Sequence, residues 1–290
     1  METAAIFDVK HFAIHDGPGI RTTFFLMGCP LRCLWCQNPE SQKNEPLLMF
    51  TRIKCIGCGN CAAACGKLDD LLQLPRSACT LCGACIRACP TGAKQFVAEH
   101  YTPTDILAAV QAETVFFDES GGGVTFSGGE PLLQKDFLCE VLRLCKHAGI
   151  HTCIDTAGCG CGGYEEILAH TDLVLLDIKH FSLDGYHSIT GQSPQEFLQF
   201  LSAVQNAGTP LWIRHVVVPG LTDSDAHLEG LRAYLHTIRN IQRVELLPYH
   251  TLGVNKYHAL GIPYSLEDVP ALPPEALADW QRRFDREFHI

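Results

Sequence analysis

The sequence is poor in charge and in long apolar runs. Only 19% of its 290 residues are Asp, Glu, Lys or Arg, and 32 acidic residues against 22 basic ones give a formal net charge of -10. The shortage of basic residues argues against a nucleic-acid partner, because affinity for phosphate backbones comes largely from Lys and Arg. No apolar stretch approaches the roughly 20 residues that span a bilayer, and the N-terminus lacks the features of a signal peptide. We therefore expect a cytoplasmic protein with no membrane partner.

Cysteine is the residue in excess, with 16 in the chain. Without a signal peptide, these thiols are expected to be reduced rather than paired in disulfides. Cys29, Cys33 and Cys36 stand at a C-x3-C-x2-C spacing with no fourth ligand beside them. Structural zinc normally requires four protein ligands, whereas a 4Fe-4S cluster held by three cysteines keeps one iron open for a substrate or cofactor. The spacing therefore predicts a cluster that takes part in catalysis.

Eight further cysteines form two copies of the C-x2-C-x2-C-x3-C pattern of bacterial ferredoxins, within an expected insertion at residues 53–97. In that pattern the fourth cysteine of each run binds the other cluster, which predicts two more 4Fe-4S clusters. One is assigned to Cys55, Cys58, Cys61 and Cys89, and the other to Cys65, Cys79, Cys82 and Cys85. A two-zinc module is the alternative. The spacing leaves open whether the clusters relay electrons or only stabilise the segment.

Outside this segment, apolar runs alternate with helical patterns. Strands are predicted for residues 21–27, 123–127, 151–155, 173–178, 211–218 and 243–247. These runs are apolar throughout, which favours burial on both faces and therefore parallel β/α units. Helices are predicted to begin near Thr102, to occupy residues 136–147 and to begin again at Pro273. The prediction is an α/β fold, a partial (β/α)6 TIM-type barrel formed by residues 1–52 and 98–290.

Polar motifs follow several of the predicted strands, where parallel sheets bind their ligands. The segment Ser127-Gly128-Gly129-Glu130-Pro131 would by itself be a turn, but its glycines would also let a ligand approach the backbone. Asp155-Thr156 ends the next strand. Asp177 and Lys179 share one face of the strand after it, which suits a zwitterionic amino acid, although a surface ion pair is the simpler alternative.

Together these motifs resemble those of the glycyl-radical-enzyme activating enzymes of the radical SAM superfamily, in particular the members like the pyruvate formate-lyase activating enzymes that carry a ferredoxin-like insertion. The resemblance covers nearly the whole chain. Besides the cysteine runs, it lies in DGPGIR at residues 16–21, CQNPE at 36–40, SGGGVTFSGGE at 120–130, VPG at 218–220 and LPYH at 247–250. Gln37 departs from the histidine often found after the third cysteine in the family.

The resemblance implies a reaction. An electron from reduced flavodoxin or ferredoxin would cleave S-adenosylmethionine (SAM), bound at the open iron, to a 5'-deoxyadenosyl radical, which would take a hydrogen atom from a glycine of a partner glycyl radical enzyme. The residues implied in SAM binding are Gly128, Gly129, Glu130, Asp155, Asp177, Lys179, Arg214 and His227. A monovalent cation would lie among Asp155, Thr156, Leu175 and Asp177, and Asp16 would contact the partner's peptide. We expect a monomer.

Two other functions are compatible with the same motifs. A radical SAM enzyme acting on a small molecule or a peptide would cleave SAM without forming a glycyl radical in a partner. A ferredoxin-like electron carrier would hold only two clusters and would cleave no SAM. The remaining cysteines have no cluster spacing and are interpreted as packing residues; they are Cys139, Cys145, Cys153, Cys159 and Cys161.

Overall fold

The computed structural model of the chain describes residues 2–44, 47–66 and 79–288. The strands within them are β1 (Ala4–Ala13), β2 (Arg21–Leu26), β3 (Leu48–Phe50), β4 (Lys94–Phe96), β5 (Glu99–Tyr101), β6 (Gly123–Gly128), β7 (His151–Thr156), β8 (Leu173–Asp177), β9 (Leu211–Val217) and β10 (Ile241–Pro248). One sheet has the order β10-β9-β8-β7-β6-β2-β1-β5. The six predicted strands are β2 and β6 to β10, and they pair in parallel. The predicted partial barrel is confirmed.

Burial of the parallel strands on both faces follows from their composition. In β8, Val174 and Leu176 belong to the main core beneath the helices. The alternate residues Leu173 and Leu175 lie on the other face, inside the barrel, where they pack with Cys153 of β7. Because side chains of a strand alternate between its two faces, a strand that is apolar at every position can only be stable between two apolar layers.

The helices of the described residues cover the outer face and form the insertion. They are α1 (Asn60–Cys65), α2 (Ala84–Arg87), α3 (Pro103–Gln111), α4 (Thr114–Ser120), α5 (Lys135–His147), α6 (Tyr164–Leu168), α7 (Leu183–Thr190), α8 (Gln195–Ala207), α9 (Asp225–Leu235), α10 (Val254–Leu260) and α11 (Ala278–Phe288). Thr102 caps α3 in a reciprocal capping box with Asp105. The helix predicted to begin near Thr102 is confirmed as α3, and the helix predicted at residues 136–147 is confirmed as α5. The helix predicted to begin at Pro273 is confirmed as α11, which is preceded by a short 3-10 turn.

The two cysteine runs lie between β3 and β4, which pair antiparallel. Helices α1 and α2 pack against each other. Each follows a glycine with positive φ, 75° at Gly59 and 70° at Gly83, which glycine adopts without strain. The linker between the runs, residues 67–78, lies outside the described residues, as do residues 1, 45–46 and 289–290.

Strands β1 and β5 extend the sheet beyond the predicted barrel. Strand β1 pairs antiparallel with both β2 and β5. Its residues alternate between buried and exposed over the first half and are mostly exposed over the second, so it lacks the continuous apolar run that identifies the other strands. Strands β10 and β5 are the two edges of this sheet, which leaves the barrel open on one side. None of the described helices has the length and apolar character that crossing a bilayer requires.

Candidate active site at the strand ends

The loop that follows β2 carries three free thiols, Cys29, Cys33 and Cys36, each half-buried. Burial raises the pKa of Cys29, and the nearby carboxylate of Glu130 adds to the effect. Burial also raises the pKa of Cys33 to about 11, although the ammonium group of Lys179 acts in the opposite direction. Such thiols hold their protons until a metal displaces them. The loop therefore offers three neighbouring sulfur ligands next to a buried cation.

The end of β6 approaches this loop backbone to backbone. Gly129 N donates to Leu26 O at 2.8 Å, and Glu130 N donates to Gly28 O at 2.7 Å. A Cβ atom on Gly128, whose φ is 116°, would lie 2.3 Å from Leu26 N, and one on Gly129 would lie 2.2 Å from Gly28 O. The sequence suggested that these glycines admit a ligand. The structure adds a second reason for them, since the chain's own backbone leaves no space for a side chain.

Glu130 is fully buried and serves as a junction between β6 and the loop after β7. Its Oε1 accepts from Thr156 Oγ1 at 2.5 Å and from Leu132 N at 3.2 Å, and its Oε2 accepts from Ala157 N at 2.9 Å and Cys159 N at 3.3 Å. Burial raises its pKa, while these four donors act in the opposite direction. Both carboxylate oxygens are thus occupied within the chain, and Glu130 fixes the positions of two strand ends.

Asp177 and Lys179, at the end of β8, form a close ion pair with 2.6 Å between Oδ2 and Nζ. Their side chains are only 26% and 12% exposed, so this is not the surface ion pair considered as the simpler alternative. Burial opposes the charged form of Lys179, but the Asp177 carboxylate outweighs it and raises the pKa, and Cys33 would add to this effect once its thiol loses its proton. The pair therefore presents a fixed ammonium group and a fixed carboxylate beside the cysteine loop.

A second ion-pair network crosses the barrel interior. Strand register places Asp177, Arg214 and Glu245 side by side on β8, β9 and β10. Arg214 lies 3.2 Å from Glu245 and 3.4 Å from Asp155 at the end of β7, and Ser127 donates to Asp155 at 2.7 Å. Burial raises the pKa of Asp155 to about 6, with Asp177 contributing and Arg214 opposing. These contacts bring together polar residues of five neighbouring strands, β6 to β10, and three of these residues, Asp155, Asp177 and Arg214, were predicted.

His227, at the start of α9, belongs to a group of three histidines. Its Nε2 lies 3.1 Å from Nε2 of His215 on β9, whose Nδ1 lies 2.7 Å from Ile178 O. The ring of His180 meets that of His227 edge to face, with 4.8 Å between centroids. Burial lowers the pKa of His215 to about 3 and that of His227 to about 4. Both rings are therefore neutral near pH 7, and His215 orients His227.

Asp16 lies at the open side of the barrel, in the turn between β1 and β2. Its carboxylate accepts from Thr23 Oγ1 at 2.9 Å, and its carbonyl oxygen accepts from Thr125 Oγ1 at 2.7 Å. A cavity of about 510 Å³ separates Asp16 from β10 and is lined by Arg214 and Glu245 among others. Asp16 is thus held at the mouth of the cavity that leads towards the ion-pair network.

In the insertion, four thiols assigned to one cluster line a common cavity. They are Cys55, Cys58, Cys61 and Cys89, and Lys94 completes the lining on the β4 side. The backbone N–H of Lys94 and the Thr91 hydroxyl lower the pKa of Cys89 to about 7. The distant Cys89 therefore joins the three cysteines of the first run, as the crossed ferredoxin pattern requires.

In the second set of thiols, Cys85 is buried. Burial raises the pKa of Cys85, and Cys65 and Cys79 add to this effect while Lys94 acts against it. Cys82 is exposed. The two runs also share a local feature, since Gly57 N donates to Cys55 Sγ at 3.5 Å and Leu81 N donates to Cys79 Sγ at 3.4 Å.

The donor chemistry of both cysteine sites suits clusters better than single ions. Among the residues that the structure describes, no three His, Cys, Asp or Glu side chains converge so as to hold one metal ion. The indole Nε1 of Trp35, next to Cys36, is buried without a hydrogen-bond partner. Because buried donors are normally satisfied, this one fits a site whose acceptors belong to a bound group.

Other predicted residues have simpler environments. Leu175 is fully buried and packs inside the barrel, so only its backbone is available to a ligand. The packing interpretation holds for Cys139, Cys145, Cys153 and Cys159, which join the apolar cores. It is wrong for Cys161, which is exposed, because the turn before α6 keeps it at the surface.

Three residues of the site were not predicted from the sequence: Ser127 as a donor to Asp155, Glu245 as a partner of Arg214, and His215 as a partner of His227. Their position on predicted strands was the only available signal. Their pairing depends on strand register and on the path of α9, which local patterns do not contain.

Comparisons with known proteins agree with this geometry. The family model of the radical SAM superfamily matches residues 24–229. The chain is 44% identical over 275 residues to the pyruvate formate-lyase-activating enzyme of Clostridium pasteurianum, covering 95% of this chain and 94% of that protein. It is 34% identical over 283 residues to the enzyme of the same name from Staphylococcus epidermidis, covering 94% and 92%. Streptococcus suis SuiB bound to its precursor peptide SuiA shares the fold, with a TM-score of 0.53 at 15% identity over 90% of this chain and 44% of SuiB.

Proposed function

Because the chain belongs to the radical SAM superfamily and to the family of pyruvate formate-lyase-activating enzymes within it, we propose that it activates a glycyl radical enzyme. The observation that carries the proposal is the set of three free thiols, Cys29, Cys33 and Cys36, beside the buried Lys179 and Asp177 pair. When bound to these thiols, a 4Fe-4S cluster supplies the electron that cleaves SAM to methionine and a 5'-deoxyadenosyl radical, which takes a hydrogen atom from a glycine of the partner.

The residues around the loop orient SAM. The Lys179 ammonium and the Asp177 carboxylate are complementary to the carboxylate and ammonium groups of its methionyl part. Gly128 and Gly129 provide backbone groups without obstructing side chains. Glu130 is a positioning residue that does not contact SAM, because both of its carboxylate oxygens accept hydrogen bonds from the chain. It keeps the backbone of Gly128 and Gly129 in place.

The remaining polar residues complete the cofactor site. Arg214 holds Asp155 in the barrel interior, and we assign His227 a contact with SAM through a ring that burial keeps neutral and His215 orients. Asp155 and Asp177, with the Thr156 hydroxyl and the Leu175 carbonyl, form a set of oxygen atoms suited to a monovalent cation beside the SAM carboxylate. This arrangement would balance the negative charge that gathers at the strand ends.

We assign two further 4Fe-4S clusters to the insertion at residues 53–97, one to each crossed set of four thiols. The shared cavity of Cys55, Cys58, Cys61 and Cys89 supports this assignment. Their proposed role is to pass electrons from reduced flavodoxin or ferredoxin to the cluster of the cysteine loop. All described cysteines are free thiols, and eleven reduced ligands suit the reducing cytoplasm.

The partner's glycine loop would enter through the open side of the barrel, past Asp16, as an extended segment. The cavity of about 510 Å³ beside Asp16 supports this route. A monomer that docks on a larger partner is the proposed state, since a second copy on the open side would block the loop.

The full chain, reconstituted anaerobically with iron and sulfide, tests the proposal. With SAM, a low-potential reductant and pyruvate formate-lyase as partner, we expect methionine and deoxyadenosine in equal amounts and a glycyl radical signal in the electron paramagnetic resonance (EPR) spectrum of the partner. Replacing Cys29, Cys33 and Cys36 together by alanine should abolish SAM cleavage. Cys161→Ala, which changes an exposed thiol outside the cluster patterns, is the matched control.

Other outcomes favour the rival functions. Deoxyadenosine without a glycyl radical in any partner tested would indicate an enzyme acting on a small molecule or another peptide. About eight irons per chain and no SAM cleavage would indicate a two-cluster electron carrier, whereas the proposal requires about twelve. SAM cleavage retained by the triple alanine variant would contradict the assignment of the site.

A further inference from the structure

Lys94 is a buried cation in the insertion that has no carboxylate partner among the residues that the structure describes. It is 3% exposed and belongs to the lining of the cavity formed by Cys55, Cys58, Cys61 and Cys89. Its Nζ lies 5.4 Å from the centroid of the Phe50 ring. The described residues of this segment, 47–66 and 79–97, contain no aspartate or glutamate. Lys94 therefore lies between an aromatic ring and this set of thiols, and its charge also acts on Cys85 of the second set.

A charge in this position requires an opposite charge nearby. Removing an ammonium group from water costs several kcal/mol when it is unpaired, and a cation–π contact returns only about 0.5–2 kcal/mol. The cavity has the complementary charge only when it is loaded, since four thiolates around a 4Fe-4S core of charge about +2 give about -2, and about -3 after reduction. The burial of Lys94 is thus explained by a negatively charged group held by the four cysteines.

We propose that Lys94 is the counter-ion of the cluster held by Cys55, Cys58, Cys61 and Cys89 and that it sets the reduction potential of that cluster. The inference rests on the proposed function, since it takes the insertion to contain clusters. A low-potential donor such as a reduced flavodoxin gives one electron to the cluster; no bond forms or breaks, and the donor is oxidised by one electron. The added negative charge interacts favourably with the ammonium group, so Lys94 stabilises the reduced cluster and raises its potential.

The effect is specific to this position because the other cations of the segment are placed differently. Among the described residues of the segment, these are Arg52, Lys54 and Arg87, which are exposed and lie outside the lining of this cavity, where water screens their charges. Lys94 is on β4, whose pairing with β3 fixes it against Phe50. A rigid, dry cation has the largest influence on a neighbouring redox centre.

Redox titration of the reconstituted full chain, monitored by EPR, tests the inference. The variants are Lys94→Met, which keeps the apolar stem, and Lys94→Arg, which keeps the charge; Lys54→Met removes an exposed cation of the same segment. We expect at least one of the two insertion cluster signals to shift to more negative potential in Lys94→Met, and both to stay near their original potentials in Lys94→Arg and Lys54→Met. Iron content is measured for each protein.

The outcomes separate the inference from the proposed function. A wild-type chain with about four irons would overturn the insertion clusters themselves, and with them the role of Lys94. Full iron content with no shift in Lys94→Met would overturn the role of Lys94 alone. If Lys94→Met fails to hold iron in the insertion, retention by Lys94→Arg supports the counter-ion, and loss in both variants contradicts it in favour of a packing role.

Discussion

Lys179 remains charged in a buried position because a carboxylate lies beside it. Asp177 lies 2.6 Å away and raises the pKa of the ammonium group, and Cys33 would add to this effect once a metal displaces its proton. A residue that is held in this way can donate to an incoming carboxylate without paying for reorganisation. At the residue scale, the site is therefore organised before its ligands bind.

Lys179→Met removes the ammonium group and keeps the length of the side chain. The loss of a hydrogen bond to a charged group costs about 1.5–3 kcal/mol, so SAM should bind about 10- to 100-fold more weakly. The measurement is the dissociation constant of SAM for the reconstituted chain under anaerobic conditions. Lys135→Met is the control, because Lys135 forms a 3.3 Å pair with the exposed Glu166 on the outer face. Equal affinities in the two variants would exclude Lys179 from the SAM site.

The neutral histidine pair predicts a pH dependence. Burial lowers the pKa values of His215 and His227 to about 3 and 4. As the pH falls through 6.5, the two histidines therefore become protonated in the unfolded chain but stay neutral in the folded chain. The stability that such groups contribute is fully present above pH 6.5, and it is lost as the pH falls towards the pKa values of the folded state. Between pH 7.5 and 5.5 each ring should contribute a loss of about 1.4 kcal/mol.

His215→Asn tests this dependence, because the asparagine amide can still donate to Ile178 O without titrating. The midpoint of thermal unfolding of the reconstituted chain, measured at both pH values, should fall less for the variant than for the wild type. The charged and titratable groups around the pair are His180, Asp177 and Asp223, and they are unchanged. The same pH dependence in both proteins would show that His215 is protonated in the folded state.

Sequence patterns revealed the residues whose chemistry is local and missed those that depend on register. Cys29, Cys33 and Cys36 are recognisable from spacing, and Asp177 and Lys179 are two positions apart where β8 ends. Glu245 is not recognisable in this way, because it meets Arg214 only when β9 and β10 align in parallel. Long-range pairing of this kind is a property of the folded sheet.

At the scale of elements, the contact of β6 with the loop after β2 decides where the cysteines lie. The parallel pairing of β2 with β6 ends at Leu26 and Gly128, and the next residues continue the contact through backbone hydrogen bonds. The six parallel strands were predicted because each is a continuous apolar run. Strand β1 was not, because several of its residues are exposed and break any such run.

Gly128→Ala should displace the cysteine loop. A methyl group at this position would lie 2.3 Å from Leu26 N, and the φ of 116° is one that side chains rarely adopt. We expect the reconstituted variant to bind about eight irons in place of about twelve, with the insertion clusters intact. Gly149→Ala is the control: its φ is 75°, and a Cβ there meets no atom within 4 Å, so it should cost about 1–2 kcal/mol of stability and no iron. Twelve irons in Gly128→Ala would show that the loop tolerates the shift.

At the scale of the whole molecule, the open side of the barrel separates two tasks. The cysteine loop and the Lys179 pair lie at the carboxyl ends of the strands, while Asp16 lies at the side between β1 and β10, where the cavity opens. Cofactor and partner can therefore approach from different directions. This division makes the two functions separable by mutation.

Asp16→Asn should weaken the use of the partner more than the use of SAM. Asparagine can still accept from Thr23 Oγ1, so the turn keeps its shape, but the negative charge that would hold the partner's backbone is lost. A lost charged hydrogen bond of about 1.5–3 kcal/mol raises the KM for a glycine-loop peptide about 10- to 100-fold, with a smaller change in the KM for SAM. Asp8→Asn, an exposed carboxylate on β1, should change neither KM. The KM for the peptide depends on the entrance beside Asp16, whereas the KM for SAM depends on the residues at the strand ends. An equal rise in both KM values for Asp16→Asn would therefore mean that Asp16 maintains the structure of the barrel and does not bind the partner.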